Sequence, residues 1–205
     1  MLYAQCDYLT EGGMKMVKRK KGYVLTLMVL VSLMSVCLLM LSGCSSPPKK
    51  LDPSKSGPQV IVNPESIRLG VAKLMATNIV FEGAGFKPGD SIFITLLGPK
   101  EAKAIVAEAP IKSDGTFKAE LGESLMSKLT KAMEILRGDI VADEKFQPIV
   151  VITQPPIPEG IYTVKVTSML STMTAETKLN VKGPTVIDSL TDWLGKLTGK
   201  IQYKK

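Results

Sequence analysis

The sequence predicts a mainly β domain, an antiparallel β-sandwich carrying a helical insert and a C-terminal amphipathic helix. Three observations carry that expectation. From Val60 onward, short apolar runs alternate with Gly, Pro, Asn and Asp, the pattern of strands joined by turns. Ile161–Thr167 and Met173–Val181 alternate apolar and polar residues with a period of two, as half-buried strands do. Two other segments, 122–138 and 183–205, instead space their apolar residues at three and four, as amphipathic helices do.

The chain has 205 residues, a formal net charge of +7 and no histidine. That length suits one domain with appendages. Lys18, Arg19, Lys20 and Lys21 form a positive block, and the apolar run Tyr23 to Leu41 follows it. Ser42, Gly43 and Cys44 close the run. Positive block, apolar core and small-residue exit are the parts of a secretory signal, which sets residues 1–43 apart from the fold.

Leu41-Ser42-Gly43-Cys44 resembles the lipobox of bacterial lipoproteins. The resemblance implies diacylglycerol on the Cys44 sulfur, cleavage between Gly43 and Cys44, and a fatty acyl chain such as palmitate on the new amine. It implies a lipid-anchored place in the cell envelope. In a diderm host, Ser45 after the cysteine favours the outer membrane. A competing reading is an uncleaved membrane helix, since about 20 apolar residues span a bilayer. Ser-Gly-Cys at the exit, followed by a polar tether, favours the lipoprotein. Neither reading gives a freely soluble cytoplasmic protein. Glu11-Gly12-Gly13 matches what a purine-rich ribosome-binding run would encode, so translation is expected to start at Met14 or Met16. Cys6 then precedes the start, Cys37 lies in the signal and Cys44 carries lipid. No thiol is left for a disulfide, a redox pair or a metal site.

Residues 44–59 are rich in Pro, Ser, Lys and Gly, with Leu51 as an isolated large apolar residue. Such a composition buries too little surface to fold, so a disordered tether is expected. The domain proper is expected over residues 60–182. Val60-Ile61-Val62 reads as an edge strand ending at Asn63-Pro64, and Thr77–Phe81 as the next. Gly83–Asp90, GAGFKPGD, is turn chemistry, with glycines for positive φ and Pro88 for a corner. Ser91–Leu97 and Ala104–Ala109 read as strands, and Lys112-Ser113-Asp114-Gly115 as a hairpin turn. Thr116–Leu121 puts Phe117, Ala119 and Leu121 on one face. Residues 138–147 are polar and read as a loop before a strand over Ile149–Thr153. Tyr162, Val164 and Val166 face the core from one long strand, with Met173, Ala175, Thr177, Leu179 and Val181 from the next.

FEGAGFKPGDSIFI, SDGTFKAEL and PIPEGIYTVKVTS resemble bacterial surface domains with an immunoglobulin-like β-sandwich fold. The resemblance spans roughly Gln59 to Lys182. It implies a packing role for Tyr162 as a corner tyrosine. It carries little about function, because that fold serves adhesion, spacing and partner binding alike.

The helical insert is expected at about 122–138, with Leu125, Met126, Leu129, Met133 and Leu136 as its stripe and Gly138 as its stop. One reading is a helix capping an open end of the core. The other is a partner groove, with Met126 and Met133 as adaptable contacts. The C-terminal helix is expected over 183–205. Val186, Ile187, Leu190, Trp193, Leu194, Leu197 and Ile201 form its stripe. Asp188 and Asp192 lie early and Lys196 and Lys200 late, as the helix dipole favours. Gly195 and Gly199 weaken it. The stripe fits packing on the domain. It also fits docking on a membrane surface or partner, through Leu190, Trp193, Leu194 and Leu197, with Tyr203 and the terminal lysines suiting a membrane interface.

Without histidine, Ser-His-Asp and Cys-His catalysis and His-ligated zinc are excluded. Ser46-Pro-Pro-Lys49 matches a Ser-Lys spacing, but two prolines forbid the helix that chemistry needs. Gly83-Ala84-Gly85 lacks the Lys-Ser/Thr of a phosphate loop. Asp139, Asp143 and Glu144 lack calcium-loop spacing. No cofactor or metal is expected. The lysines are scattered, without the block of a nucleic-acid footprint, so no nucleic-acid partner is expected. The expectation is a non-enzymatic binding or structural module, anchored to the membrane through lipid on Cys44 and holding an envelope protein. The alternative is a solute- or glycan-binding lipoprotein or an envelope hydrolase.

Overall fold

The structure is a computed structural model that describes residue 28, residues 47–122 and residues 124–204. The chain divides into a unit of residues 1–47 and a unit of residues 48–205, and every element named here belongs to the second. The lipobox, Gly43, Cys44, Ser45 and the proposed starts lie outside the described residues.

The second unit is mainly β, with several sheets and few helices. One sheet holds β1 (Gln59–Asn63), β3 (Ile79–Ala84) and β6 (Phe117–Leu121), all antiparallel. A five-stranded sheet runs β2 (Ser66–Arg68), β10 (Thr174–Lys182), β9 (Gly160–Ser168), β4 (Ser91–Leu97) and β5 (Lys103–Pro110). β2 pairs parallel to β10, so the chain leaves the first sheet after β1 and joins the second. The inward residues of both sheets share one core. Val62, Ile79, Phe81 and Phe117 meet Ile92, Ile94, Leu96, Tyr162, Val164, Val166, Leu179 and Val181 there. The period-two pattern of β9 and β10 buries the side the sequence predicts.

The turns follow their residue chemistry. Asp114 accepts from the Thr116 N–H and hydroxyl, closing the turn before β6. In the GAGFKPGD segment, Gly85 and Gly89 have positive φ. Gly83 does not; it lies in β3, where any Cβ would meet the Phe117 ring. Asp90 ends that turn and accepts the N–H groups of Leu170 and Ser171 at the β9–β10 hairpin. Tyr162 is fully buried, and its hydroxyl donates to the Pro158 carbonyl at 2.8 Å.

Three expectations are corrected, and one element is added. Gly138–Ala142 is a strand, β7, not a loop, and pairs antiparallel with β8 (Pro148–Ile152). Asp143 makes the connection by accepting from the Lys145 and Gln147 N–H groups. The insert helix is shorter than expected, spanning Leu125–Glu134 as α2, with Ser124 capping the Ser127 N–H. The C-terminal helix, α3, spans Val186–Leu197 and does not run to the end. Gly199, at φ +73°, lets Lys200 N–H reach the Gly195 carbonyl and its own N–H reach that of Lys196. That left-handed stop closes the helix. Ile201 then leaves the helical stripe for β11 (Ile201–Tyr203), parallel to β8. Finally, a short helix absent from the sequence reading, α1 (Val71–Ala76), joins β2 to β3.

The expected tether is also not free along its length. The Lys49 N–H donates to Asn63 Oδ1 and Asn63 Nδ2 returns a bond to the Lys49 carbonyl. Gln59 and Asp52 make the same reciprocal pair, and Lys49 forms an ion pair with Glu65. Polar side chains of β1, which an edge strand leaves exposed, supply the bonds that the tether's own composition does not.

Candidate functional site

The region that stands out is the end of the domain where β2, β4 and β10 finish and β3, β5 and β9 begin. There α1, α2 and α3 gather, with α1 touching both others. Its construction starts from one problem. α1 has six residues, and its N-cap, Gly70, has no side chain to satisfy the helix's first N–H groups.

Asp192 of α3 solves it. Its carboxylate accepts from Val71 N–H and Ala72 N–H, both at 2.8 Å. Negative charge at a helix N-terminus also complements the dipole. At the other end of α1, Lys131 of α2 inserts its ammonium among carbonyls. Nζ donates to Leu74 at 3.0 Å, Met75 at 3.4 Å and Thr77 at 2.7 Å. Among the described residues no carboxylate forms an ion pair with it. Burial, with Lys128 adding a smaller repulsion, lowers its pKa from 10.5 to about 8.

Asp188, one turn before Asp192, seals α3 itself. It accepts from the Thr185 N–H and hydroxyl while Thr185 Oγ1 accepts the Asp188 N–H, a reciprocal cap. Arg68 stands 3.9 Å away. Burial works to raise the Asp188 carboxyl, but the Thr185 bonds, then Arg68 and Lys73, outweigh it and hold it below the usual 3.8.

These contacts fix which side of α3 meets the domain. Asp188 and Asp192 are 6% and 9% exposed, whereas Val186, Ile187, Leu190, Trp193, Leu194 and Leu197 range from 49% to 87%. Gly195 adds the remaining seat, against the Ile201 side chain. At about 100° per residue, Asp188, Asp192 and Gly195 lie on one side of the helix and the six apolar residues fill an arc of roughly 120° on the other. The helix is seated by its polar edge with its apolar face outward. The reading of the stripe as core packing is therefore corrected for α3.

α2 is divided: it buries Lys131 and Ala132, followed by Ile135 and Leu136 in the core, half-buries Leu129, and leaves Leu125, Met126 and Met133 exposed. Of the sequence-predicted contacts, Leu190, Trp193, Leu194 and Leu197 are brought together on one face. Met126 and Met133 lie on a different helix. Sequence reasoning missed Lys131, and it read Asp192 only as a dipole match for its own helix. The signal available was its spacing of four from Asp188, opposite the stripe.

Within the segment that carries this face, the exposed charge has one sign. From Gly183 to Lys204 the acidic residues are Asp188 and Asp192, both turned inward, and Lys196, Lys200 and Lys204 are exposed. Lys196 Nζ lies 4.0 Å over the Tyr203 ring. Among the described residues no cluster of His, Cys, Asp or Glu is arranged to hold a metal, and no helix is long and apolar enough to cross a membrane.

No family model matches the chain, and no curated protein matches it. Among solved structures, a chain titled macromomycin is similar at 11% identity and a TM-score of 0.37, over 61% of this chain and 99% of that one. A likeness of that size carries no argument for function.

Proposed function

We propose that this chain is a membrane-anchored bacterial envelope lipoprotein, acting as a non-enzymatic binding or structural module. Lipid on Cys44 holds it, and an immunoglobulin-like sandwich forms its body. The observation that supports this most is the order of features at the N-terminus. Lys18–Lys21, the apolar run to Leu41, Ser42-Gly43-Cys44 and a polar segment follow one another as lipoprotein export and acylation require. Two sheets around one core, the passage from β1 to β2 across them, and the Tyr162–Pro158 bond support the immunoglobulin-like reading. In a diderm host, Ser45 directs the protein to the outer membrane.

Metabolic labelling with an alkyne fatty acid in a lipoprotein-processing bacterium tests the anchor. The wild-type chain takes the label and Cys44→Ala does not. Equal labelling of both, or of neither, overturns it.

A further inference from the structure

We infer that the outward face of α3 is a second membrane contact, in which the helix lies along a lipid surface beside the acylated Cys44. The inference rests on the lipoprotein reading and adds to it a site and an occupant. Three independent observations select lipid.

The first is the orientation. Val186, Ile187, Leu190, Trp193, Leu194 and Leu197 are all exposed on a helix whose two acidic residues face the domain, Asp192 on the Val71 and Ala72 N–H groups and Asp188 beside Arg68. A solvated surface helix does the reverse.

The second is where the chain outside the domain begins. Lys49 is bonded to Asn63, whose partner in β3 is Val80. Lys49 also pairs with Glu65, whose carbonyl accepts the Asn180 N–H near the end of β10. α3 departs a few residues beyond that point, at Val186. Cys44 precedes Lys49 by five residues, a reach of at most about 18 Å. The bilayer that holds the lipid is therefore within a short leash of the end of the domain that carries α3.

The third is charge. The two acidic side chains of this segment are turned inward, and Lys196, Lys200 and Lys204 meet the outside. Lysines beside an apolar helical face suit anionic headgroups, and Trp and Tyr settle at that depth.

Trp193 is the chain's single tryptophan and reports on this face directly. The full acylated protein, reconstituted into vesicles of phosphatidylglycerol and phosphatidylethanolamine, places Trp193 at the headgroup–acyl boundary. Its emission then shifts to the blue, brominated acyl chains quench it several-fold, and iodide in the water does not reach it. The combined variant Val186→Ser, Leu190→Ser, Leu197→Ser removes side chains outside the core. It stays folded and acylated and loses the quenching. Trp193 that remains open to iodide and unquenched by brominated chains, in a protein whose mass shows Cys44 acylated, overturns the inference and leaves the anchor standing. Protection of Trp193 that needs added envelope proteins overturns it in favour of a protein partner. A mass without acyl chains overturns the lipoprotein reading itself, and the inference with it.

Discussion

Asp192 and Lys131 hold opposite ends of one six-residue helix. The carboxylate from α3 takes the first N–H groups of α1, and the ammonium from α2 takes its last carbonyls. Each charge complements the end of the helix dipole it faces. A helix this short is marginal alone, and two charged side chains from distant parts of the chain supply its caps. The same contacts lock α2 and α3 in place, with the apolar face of α3 outward.

Asp192→Ala removes both N–H acceptors at the start of α1. A charged cap of this kind contributes about 2 kcal/mol. Urea unfolding of Asp192→Ala should show a loss of that order, and Asp192→Asn, which keeps one acceptor, roughly half of it. Amide exchange at Val71 and Ala72 should rise in both. Unchanged exchange would mean that α1 does not depend on this cap.

Lys131 makes stability depend on pH in a defined direction. Its folded pKa, about 8, lies below the ordinary 10.5 because burial disfavours the charge. The unfolded chain therefore binds more protons between those values, and stability rises with pH across that window. The full shift corresponds to about 3 kcal/mol. Below pH 8 the cost of burying the charge is fully present. Lys131→Met should flatten the rise between pH 8 and 10.5 relative to wild type, and it should lower stability at pH 7 because the Leu74, Met75 and Thr77 carbonyls lose their donor. Parallel pH profiles for the two proteins would contradict the buried, charged lysine.

Asp90 acts on the opposite side of the pH scale. Burial works to raise its carboxyl, but the N–H groups of Ser91, Leu170 and Ser171 outweigh that and hold it below 3.8. Its contribution is present above that value and is lost as the pH falls through the folded pKa. Asp90→Asn should lower stability near neutrality, because the Leu170 and Ser171 N–H groups lose their charged acceptor. It should also weaken the acid-side loss of stability and increase exchange at Leu170 and Ser171.

Tyr162→Phe removes one hydrogen bond and keeps the ring. The expected cost is about 1 kcal/mol by chemical denaturation, with the Pro158 carbonyl left without its donor. A neutral substitution would mean that water replaces the hydroxyl there.

The strands were legible because burial on one side writes a period of two, and Tyr162, Val164 and Val166 opposite Leu179, Thr177 and Ala175 are that period. The turn at Asp114-Gly115 was legible because its chemistry is local. The facing of α3 was not. A stripe such as Leu190, Trp193, Leu194 and Leu197 divides a helix into two faces, but which face is covered depends on what lies opposite. Here that is the N-terminus of α1, more than a hundred residues earlier in the chain. α1 itself offered only six residues without a side-chain cap. β11 was hidden for a related reason. Its partner in β8 is non-local, and only Gly199 marked the place where the helical pattern ends. The proposed lipobox, Leu41-Ser42-Gly43-Cys44, is a local pattern and needs no tertiary context to be read.

The most direct measurement is the intact mass of the protein isolated from bacterial envelopes. A chain beginning at Cys44, carrying the mass of a diacylglycerol and a further acyl group, is the expected result. A chain retaining residues upstream of Cys44, with that cysteine open to alkylation, would contradict the account.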